Sequence, residues 1–391
     1  MPTPESSVQT RPSAPGGSTF GIEEEFVLLE PDSLRPVALS TEALAVLKPE
    51  FDEATTEFLA SQVEIATGIC RTADDALGQL EAFRAALVEV AGDLGVVAAA
   101  TGTPYEVERA PEVTRALRYE HIRDDIGAMV DDHQVCGMHV HIGVPDASER
   151  VRVLNGLRAW MPVLTALAAN SPFWHGEDTG FASWRTVVMR RWTTAGIPSH
   201  FADVDDYDRR IHDLIGIGAT RDKPLVAWTL RLSHHLPTIE LRFADAQLLA
   251  DDSVALALLC RRIVRGILAG GSGGSGGSGG GAGGGGRVDD ADGRFAPEVL
   301  DAAVWEAARH GLASAVPDPV RGMMAPVAEV VASALGMHDD DDGCPAAVAA
   351  LLERGVGADR QRAAYAERGI AGVRDCITAF APEGPARRLA G

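Results

Sequence analysis

The chain has 391 residues, 46% of them apolar, and a formal net charge of −21. That length suits one large domain or two ordinary ones, and the apolar share is enough for a sizeable core. The acidic balance argues against non-specific nucleic-acid binding, which needs basic surface to neutralise phosphates. No run of about 18 apolar residues marks a membrane span.

In chain order, the opening "MPTPESSVQTRPSAPGGS" lacks a basic-then-apolar signal pattern and reads as a disordered tail, residues 1–18, on a cytoplasmic protein. "TFGIEEEFVLLE" reads as a strand and "SQVEIATGI" as another. A helix is predicted from about Thr72, opened by a Thr/Asp capping pattern and closed at Gly95. "VVAAATGT" is a short strand, 111–131 is read as helix, and "VCGMHVHIGV" as strand. Helix is predicted again at 146–169, with a short one near Ser183. "LVAWTLRLS" and "PTIELRF" are strands, 251–268 is helix, and everything after 295 reads as helical and Ala-rich.

Between the last two lies "GGSGGSGGSGGGAGGGG", residues 270–286. The backbone entropy cost of ordering such a composition is too high for packed structure. It reads as a flexible loop of roughly 23 Å root-mean-square span inside one domain, residues 19–391.

The five cysteines, Cys70, Cys136, Cys260, Cys344 and Cys376, are scattered and form no CxxC. Reduced cytosolic thiols are expected rather than disulfides or a zinc–thiolate site. Cys136 reads as a small buried hydrophobe rather than a nucleophile. Lys48 and Lys223 are the only lysines, so anion binding falls to arginine, whose planar fork suits phosphate and carboxylate.

The strands alternate polar and apolar residues, which suits a sheet with one wet face. The expected class is α+β: a mainly antiparallel sheet with helices on its dry face and a site on the other. Read with period two, four strands each show an apolar and an ionisable face. Phe20, Ile22, Phe26 and Leu28 oppose Glu23 and Glu25; Glu24 interrupts the apolar face and is expected to find an arginine. Val63 and Ile65 oppose Gln62 and Glu64. Met138, Val140, Ile142 and Val144 oppose His139 and His141, with Gly137 and Gly143 beside them. Ile239, Leu241 and Phe243 oppose Thr238, Glu240 and Arg242.

A half-exposed strand with solvated charges alternates in the same way, and HxH alone is weak evidence. Four such strands in one sheet would bring Glu23, Glu25, Glu64 and Glu240 together with His139, His141 and Arg242. Four crowded carboxylates repel unless counter-charged. Divalent cations would serve, and oxygen-rich sites suit Mg²⁺ or Mn²⁺.

"FGIEEEF", "SQVEIATGI", "CGMHVHIGV", "DTGFASWR" and "TIELRFADAQ", in this order, resemble the carboxylate–amine ligases of glutamate–cysteine ligase type 2, in the glutamine synthetase-like superfamily. The resemblance runs from about Phe20 to Ala381. It departs from the family pattern at Gly68, where proline is expected. It implies a curved antiparallel sheet with helices on its convex face, and amide formation from a carboxylate and an amine with ATP and Mg²⁺. Carried over, Glu23, Glu25, Glu64, His139 and Glu240 resemble the metal ligands. Arg242 would face the transferred phosphate, and His141 the phosphates or substrate. Arg231 and Arg185 are expected to bind anionic groups of the nucleotide. Glutamate and cysteine are the implied substrates, and a homo-oligomer is compatible with the sequence.

No Walker-type GxxxxGK[ST] occurs, so a nucleotide would be held mainly by metals and arginine. The residues alone leave two other readings open. One is a metal-dependent hydrolase, because HxH with carboxylates also builds hydrolytic sites. The other is a non-catalytic relative that binds a nucleotide or metabolite.

Overall fold

A computed structural model describes residues 18–271, 294–339 and 342–378. Residues 1–17 of the expected tail and nearly all of the Gly/Ser stretch lie outside the described residues. The N-terminal part runs β1 (Phe20–Leu29), α1 (Ser40–Leu47), β2 (Thr55–Thr56), β3 (Gln62–Ala66), α2 (Ala73–Asp93), β4 (Val97–Ala99) and α3 (Leu117–Ile126). β5 (Gly137–Gly143), α4 (Ala147–Leu157) and α5 (Met161–Leu167) follow. Then come a hairpin of β6 (Phe173–Trp174) and β7 (Glu177–Asp178), α6 (Trp184–Met189), α7 (Val204–Gly216), β8 (Leu230–Leu232), β9 (Thr238–Asp245) and α8 (Ala250–Gly271). The C-terminal part adds α9 (Pro297–His310), β10 (Ala315–Asp318), β11 (Met323–Pro326), α10 (Val327–Leu335), α11 (Cys344–Arg354), α12 (Gly357–Arg368) and α13 (Ile370–Thr378).

One seven-stranded sheet organises these elements, in the order β2-β3-β1-β5-β9-β8 with β4 also pairing β1. Its pairings are all antiparallel. This is the expected α+β class. The apolar residues of β1, β5 and β9 (Phe20, Ile22, Met138, Val140, Ile142, Ile239, Leu241, Phe243) form one core with α4, α5 and α8. Phe26, Leu28, Val63 and Ile65 continue the same face against α1 and α2. The helices therefore occupy the side that period two marked as dry, and the ionisable side chains are left on the other.

Local chemistry explains the element ends. Thr72 and Asp75 form a reciprocal capping box at the start of α2: Asp75 N–H donates to Thr72 Oγ1 at 3.1 Å and Thr72 N–H to Asp75 Oδ2 at 3.0 Å. The helix expected over 146–169 is instead split by a 3₁₀ turn at Arg158–Trp160. Pro162 cannot donate, and its ring would clash with the carbonyl of Arg158 in a continuous helix. The helix expected at 111–131 starts only at Leu117 and breaks at Gly127, where φ is +55°. The strand expected over "LVAWTLRLS" is confined to Leu230–Leu232, after a 3₁₀ turn that carries Pro224.

The all-helical C-terminal expectation is overturned by the β10–β11 hairpin. Pro317 and Pro326 disfavour helix there. Asp318 Oδ1 accepts from Val320 N–H at 2.9 Å and Gly322 takes φ +70°, so a turn forms between the strands. Among the described residues, no helix is long and apolar enough to cross a membrane.

Candidate active site

Strand register decides which predicted residues meet. Glu25 pairs with Glu64 across β1–β3, and Glu23 pairs with His139 across β1–β5. His141 pairs with Glu240 across β5–β9, and Glu240 with Arg231 across β9–β8. Five strands thus lay their ionisable residues in one row. A register irregularity between Met138 and Val140 bends the row at the histidines. Gly137 and Gly143 do permit close approach. A Cβ at Gly137 would lie 2.4 Å from Arg185 Nη2, and one at Gly143 would lie 2.5 Å from Thr19 Oγ1.

The imidazoles are held from one side. His139 Nδ1 meets Glu23 Oε2 at 2.8 Å and His141 Nδ1 meets Thr238 Oγ1 at 2.9 Å. Both Nε2 atoms are buried without a hydrogen-bond partner among the described residues. His141 Nε2 nevertheless lies 3.1 Å from Glu23 Oε1, and His139 Nε2 lies 3.9 Å from Glu25 Oε1. Ring nitrogens turned toward carboxylates are what a cation between them would use. Glu23, His141 and Glu240 offer ligand atoms within 4.8 Å of one another. His141, expected to face phosphate or substrate, therefore stands within the metal-spaced group, while His139 sits between Glu23 and Glu25.

The two other arginines behave differently from one another. Arg231 is committed to protein: Nε and Nη2 grip Glu240 at 2.7 and 2.9 Å, and Nη1 donates to the carbonyls of Pro224 and Val226. Arg242 Nη1 donates to the same Glu240. Arg185 makes no side-chain hydrogen bond or ion pair among the described residues, although it is only 4% exposed.

The acids divide by surroundings. Burial opposes ionisation of Glu240, but Arg242 and Arg231 outweigh it and hold its pKa at about 2. Burial likewise opposes ionisation of Glu23, and His139 and His141 overcome it, so its pKa is lowered. Glu25 has no such surplus: burial and the Glu57 carboxylate push it up to about 7 against Arg185, Gly137 N–H and Arg242. Glu64 is raised well above the ordinary value by burial and by Glu57, Glu23 and Glu25. Burial and Arg242 together lower His139 to about 4, so its ring is neutral near pH 7. An uncompensated cluster of carboxylates around two orphaned imidazole nitrogens fits a hard divalent cation in its donor chemistry.

Sequence reasoning missed Glu57, Tyr119, His133 and Trp192. Glu57 follows a two-residue strand, too short to show alternation, and its pKa is raised by burial. It borders a basin of about 340 Å³ shared with Glu23, Glu25, Glu64, His139, His141, Glu240 and Arg242. A second cavity of about 130 Å³ adjoins that basin, sharing Glu25, Glu57, His139 and Arg242 with it. Phe58, Ile122, Met189, Trp192 and Arg185 help to wall this annex. Its residues come from loops and from α3 and α6, whose local sequences carry no periodic signal for a shared cavity.

An antiparallel sheet backed by helices is a glutamine synthetase-like fold, and here the acidic row lies on its open face. The crystal structure of a glutamate–cysteine ligase from Francisella tularensis in complex with AMP has this fold, with a TM-score of 0.64 at 11% identity, covering 96% of this chain and 90% of that one. A bifunctional glutathione synthetase from Pasteurella multocida superposes with a TM-score of 0.62 at 13% identity, over 92% of this chain and 52% of that one. The profile of glutamate-cysteine ligase family 2 matches residues 19–270. The chain belongs to that family. It is 38% identical over 402 residues to a Saccharopolyspora erythraea protein named "Putative glutamate--cysteine ligase 2-2", covering 99% of this chain and 98% of that one. A Frankia alni protein of the same name is 38% identical over 378 residues, covering 90% and 94%.

Proposed function

We propose that the protein is an ATP-dependent carboxylate–amine ligase that joins a carboxylate, glutamate, to an amine, cysteine, by way of an acyl phosphate. The observation that carries this reading is the convergence of Glu23, His141 and Glu240 beside His139, Glu25 and Glu64, with the imidazole Nε2 atoms turned toward Glu23 and Glu25. Membership of a glutamate–cysteine ligase family and a ligase fold shared with an AMP-bound structure support it.

Glu23, Glu25, Glu64, His139, His141 and Glu240 would hold Mg²⁺ or Mn²⁺. When bound, these ions neutralise phosphate charge. ATP supplies the phosphoryl group that turns the substrate carboxylate's poor leaving group into phosphate. The chain's own contribution is position and charge. Glu240 holds Arg242 at the basin, where its remaining donors can take phosphoryl oxygens. Arg231, locked to Glu240 and two carbonyls, would fix that carboxylate and so aim Arg242, rather than bind nucleotide with a free fork. The substrate carboxylate attacks the terminal phosphorus, ADP leaves, the amine attacks the acyl carbon and phosphate departs.

An ADP-release screen over amino-acid pairs tests the reading. ADP is expected only when Mg²⁺, a carboxylate and an amine are all present. Metal-dependent bond hydrolysis without ATP would favour a hydrolase instead, and nucleotide binding with no turnover on any pair would favour a non-catalytic relative.

A further inference from the structure

A chain of buried polar side chains runs from the C-terminal part of the molecule to the annex. Three guanidiniums line that cavity, those of Arg118, Arg185 and Arg242. Arg242 is held by Glu240. Arg185 is buried and has no such side-chain partner among the described residues. A buried cation needs something to balance its charge and to fix its place.

The backbone of Arg185 supplies the fixing. Its N–H donates to Ser171 Oγ at 3.0 Å, and Ser171 Oγ donates to Asp245 Oδ2 at 2.7 Å. Ser183, the N-cap of α6, accepts from Thr186 N–H at 3.2 Å and donates to Asp245 Oδ1 at 2.8 Å. Both anchors of the first turn of α6 thus end on one carboxylate. Asp245 also stands opposite Gly137 in the β5–β9 register, and the guanidinium of Arg185 lies over Gly137. Burial opposes the Arg185 charge, and Asp245 is the foremost of the acids that favour it. A carboxamide at position 245 could keep most of these hydrogen bonds, but only a carboxylate supplies the countercharge.

Asp245 is held in turn from far along the chain. Asn170 N–H donates to its Oδ2 at 2.7 Å. Asn170 Nδ2 donates to the carbonyls of Ala100 and Ala246 at 3.1 and 2.6 Å, which turns Oδ1 the other way. Gln361 of α12 meets it there. Its Nε2 lies 2.7 Å from Asn170 Oδ1, 3.0 Å from the Asn170 carbonyl and 3.2 Å from Thr101 Oγ1. Asp245, Asn170 and Gln361 are each no more than 2% exposed. A Cβ at Gly357, the first residue of α12, would lie 2.0 Å from Asn170 Oδ1, and one at Gly102 would lie 2.5 Å from Asp245 Cγ. The packing leaves these side chains no room to turn elsewhere.

We propose that Asp245, Asn170 and Gln361 are positioning residues that set the place and charge balance of Arg185. By this route α12, which lies beyond the residues matched by the family profile, acts on a site built on the sheet. The kinetic consequence rests on the ligase reading; the positioning of Arg185 does not.

The test is a double-mutant cycle on the full chain. Gln361→Leu removes the donors at the far end of the chain of side chains. It is expected to lower kcat/KM for ADP formation, per folded molecule, by about tenfold. In an Arg185→Gln background the same change should alter kcat/KM by less than about twofold, because the group it acts through is gone. A merely structural glutamine would cost stability equally in both backgrounds. Equal kinetic losses in the two backgrounds, or no loss in the first, would overturn the proposal. Asp245→Asn keeps the shape and removes the countercharge, and it gives the same cycle if Gln361→Leu does not fold.

A second readout needs no turnover. In protein labelled with ¹⁵N-arginine, the Nε–H signal of Arg185 is the one absent from Arg185→Gln. It should shift or broaden in Gln361→Leu, and an unchanged signal would overturn the proposal. If the signal responds while no pair of substrates yields ADP, the positioning stands and the ligase reading fails. If ADP forms and the cycle is additive, the reverse holds.

Discussion

Three adjacent glutamates on β1 meet opposite fates. Glu24 points among the helices and is saturated: Arg84 Nε and Nη2 grip it at 2.9 and 2.6 Å, and Ser253 Oγ also donates to it. Arg84 spends its other donors on the carbonyls of Gln247 and Leu248. Glu23 and Glu25 point the other way, into a basin where acids outnumber cations. The same residue type on one strand is therefore a closed structural pair on one face and an open valence on the other. A satisfied buried charge reports on folding; an unsatisfied one reports on what the protein binds.

The largest expected effect breaks the closed pair. Arg84→Ala leaves Glu24 buried without its partner, and a loss of about 3–5 kcal/mol is expected in urea denaturation. Activity per folded molecule should persist; if stability is unchanged, Glu24 is not held as described. Next comes the open face. Glu23→Gln should cut the rate of ADP formation per folded molecule by about 10²–10³-fold. Retained turnover would remove Glu23 from the reaction.

The smallest effect sharpens the contrast. Glu64 is raised well above its ordinary value by burial and by the neighbouring acids. Its folded form therefore keeps a proton that the unfolded chain releases above about pH 4.5. The stability this gives is complete below that pH and is lost as pH rises. Without metal, Glu64→Gln should match wild type near pH 4 and become more stable than it toward pH 8, by about 1–2 kcal/mol. Comparing the two proteins cancels the opposing titration of His139. Adding Mg²⁺ should reverse the order at pH 8, because only wild type keeps the full ligand set. Parallel pH–stability curves would show that the acids do not crowd one another.

Much of the site was readable because period two does not depend on tertiary structure. Glu23, Glu25, Glu64, His139, His141, Glu240 and Arg242 could be placed on one face strand by strand, and Glu24 could be marked as needing an arginine. Arg84 could not be named, since it lies on α2, far along the chain, and helix patterning shows only an inward face. Glu57 was invisible because Thr55–Thr56 is too short to alternate. The hairpin at 315–326 was missed because its flanks are helical and Ala-rich, and its proline and turn signals were outweighed.

Alternation of side chains along each strand and the Thr72–Asp75 cap were determined by the sequence itself, because both arise from backbone geometry over a few residues. Tertiary structure alone decided that Glu25 faces Glu64, that His141 rather than His139 joins Glu23 and Glu240, and that Arg185 is left without an acceptor. Those relations depend on strand order, a register shift and loop packing between segments distant in the chain, and no local preference encodes them.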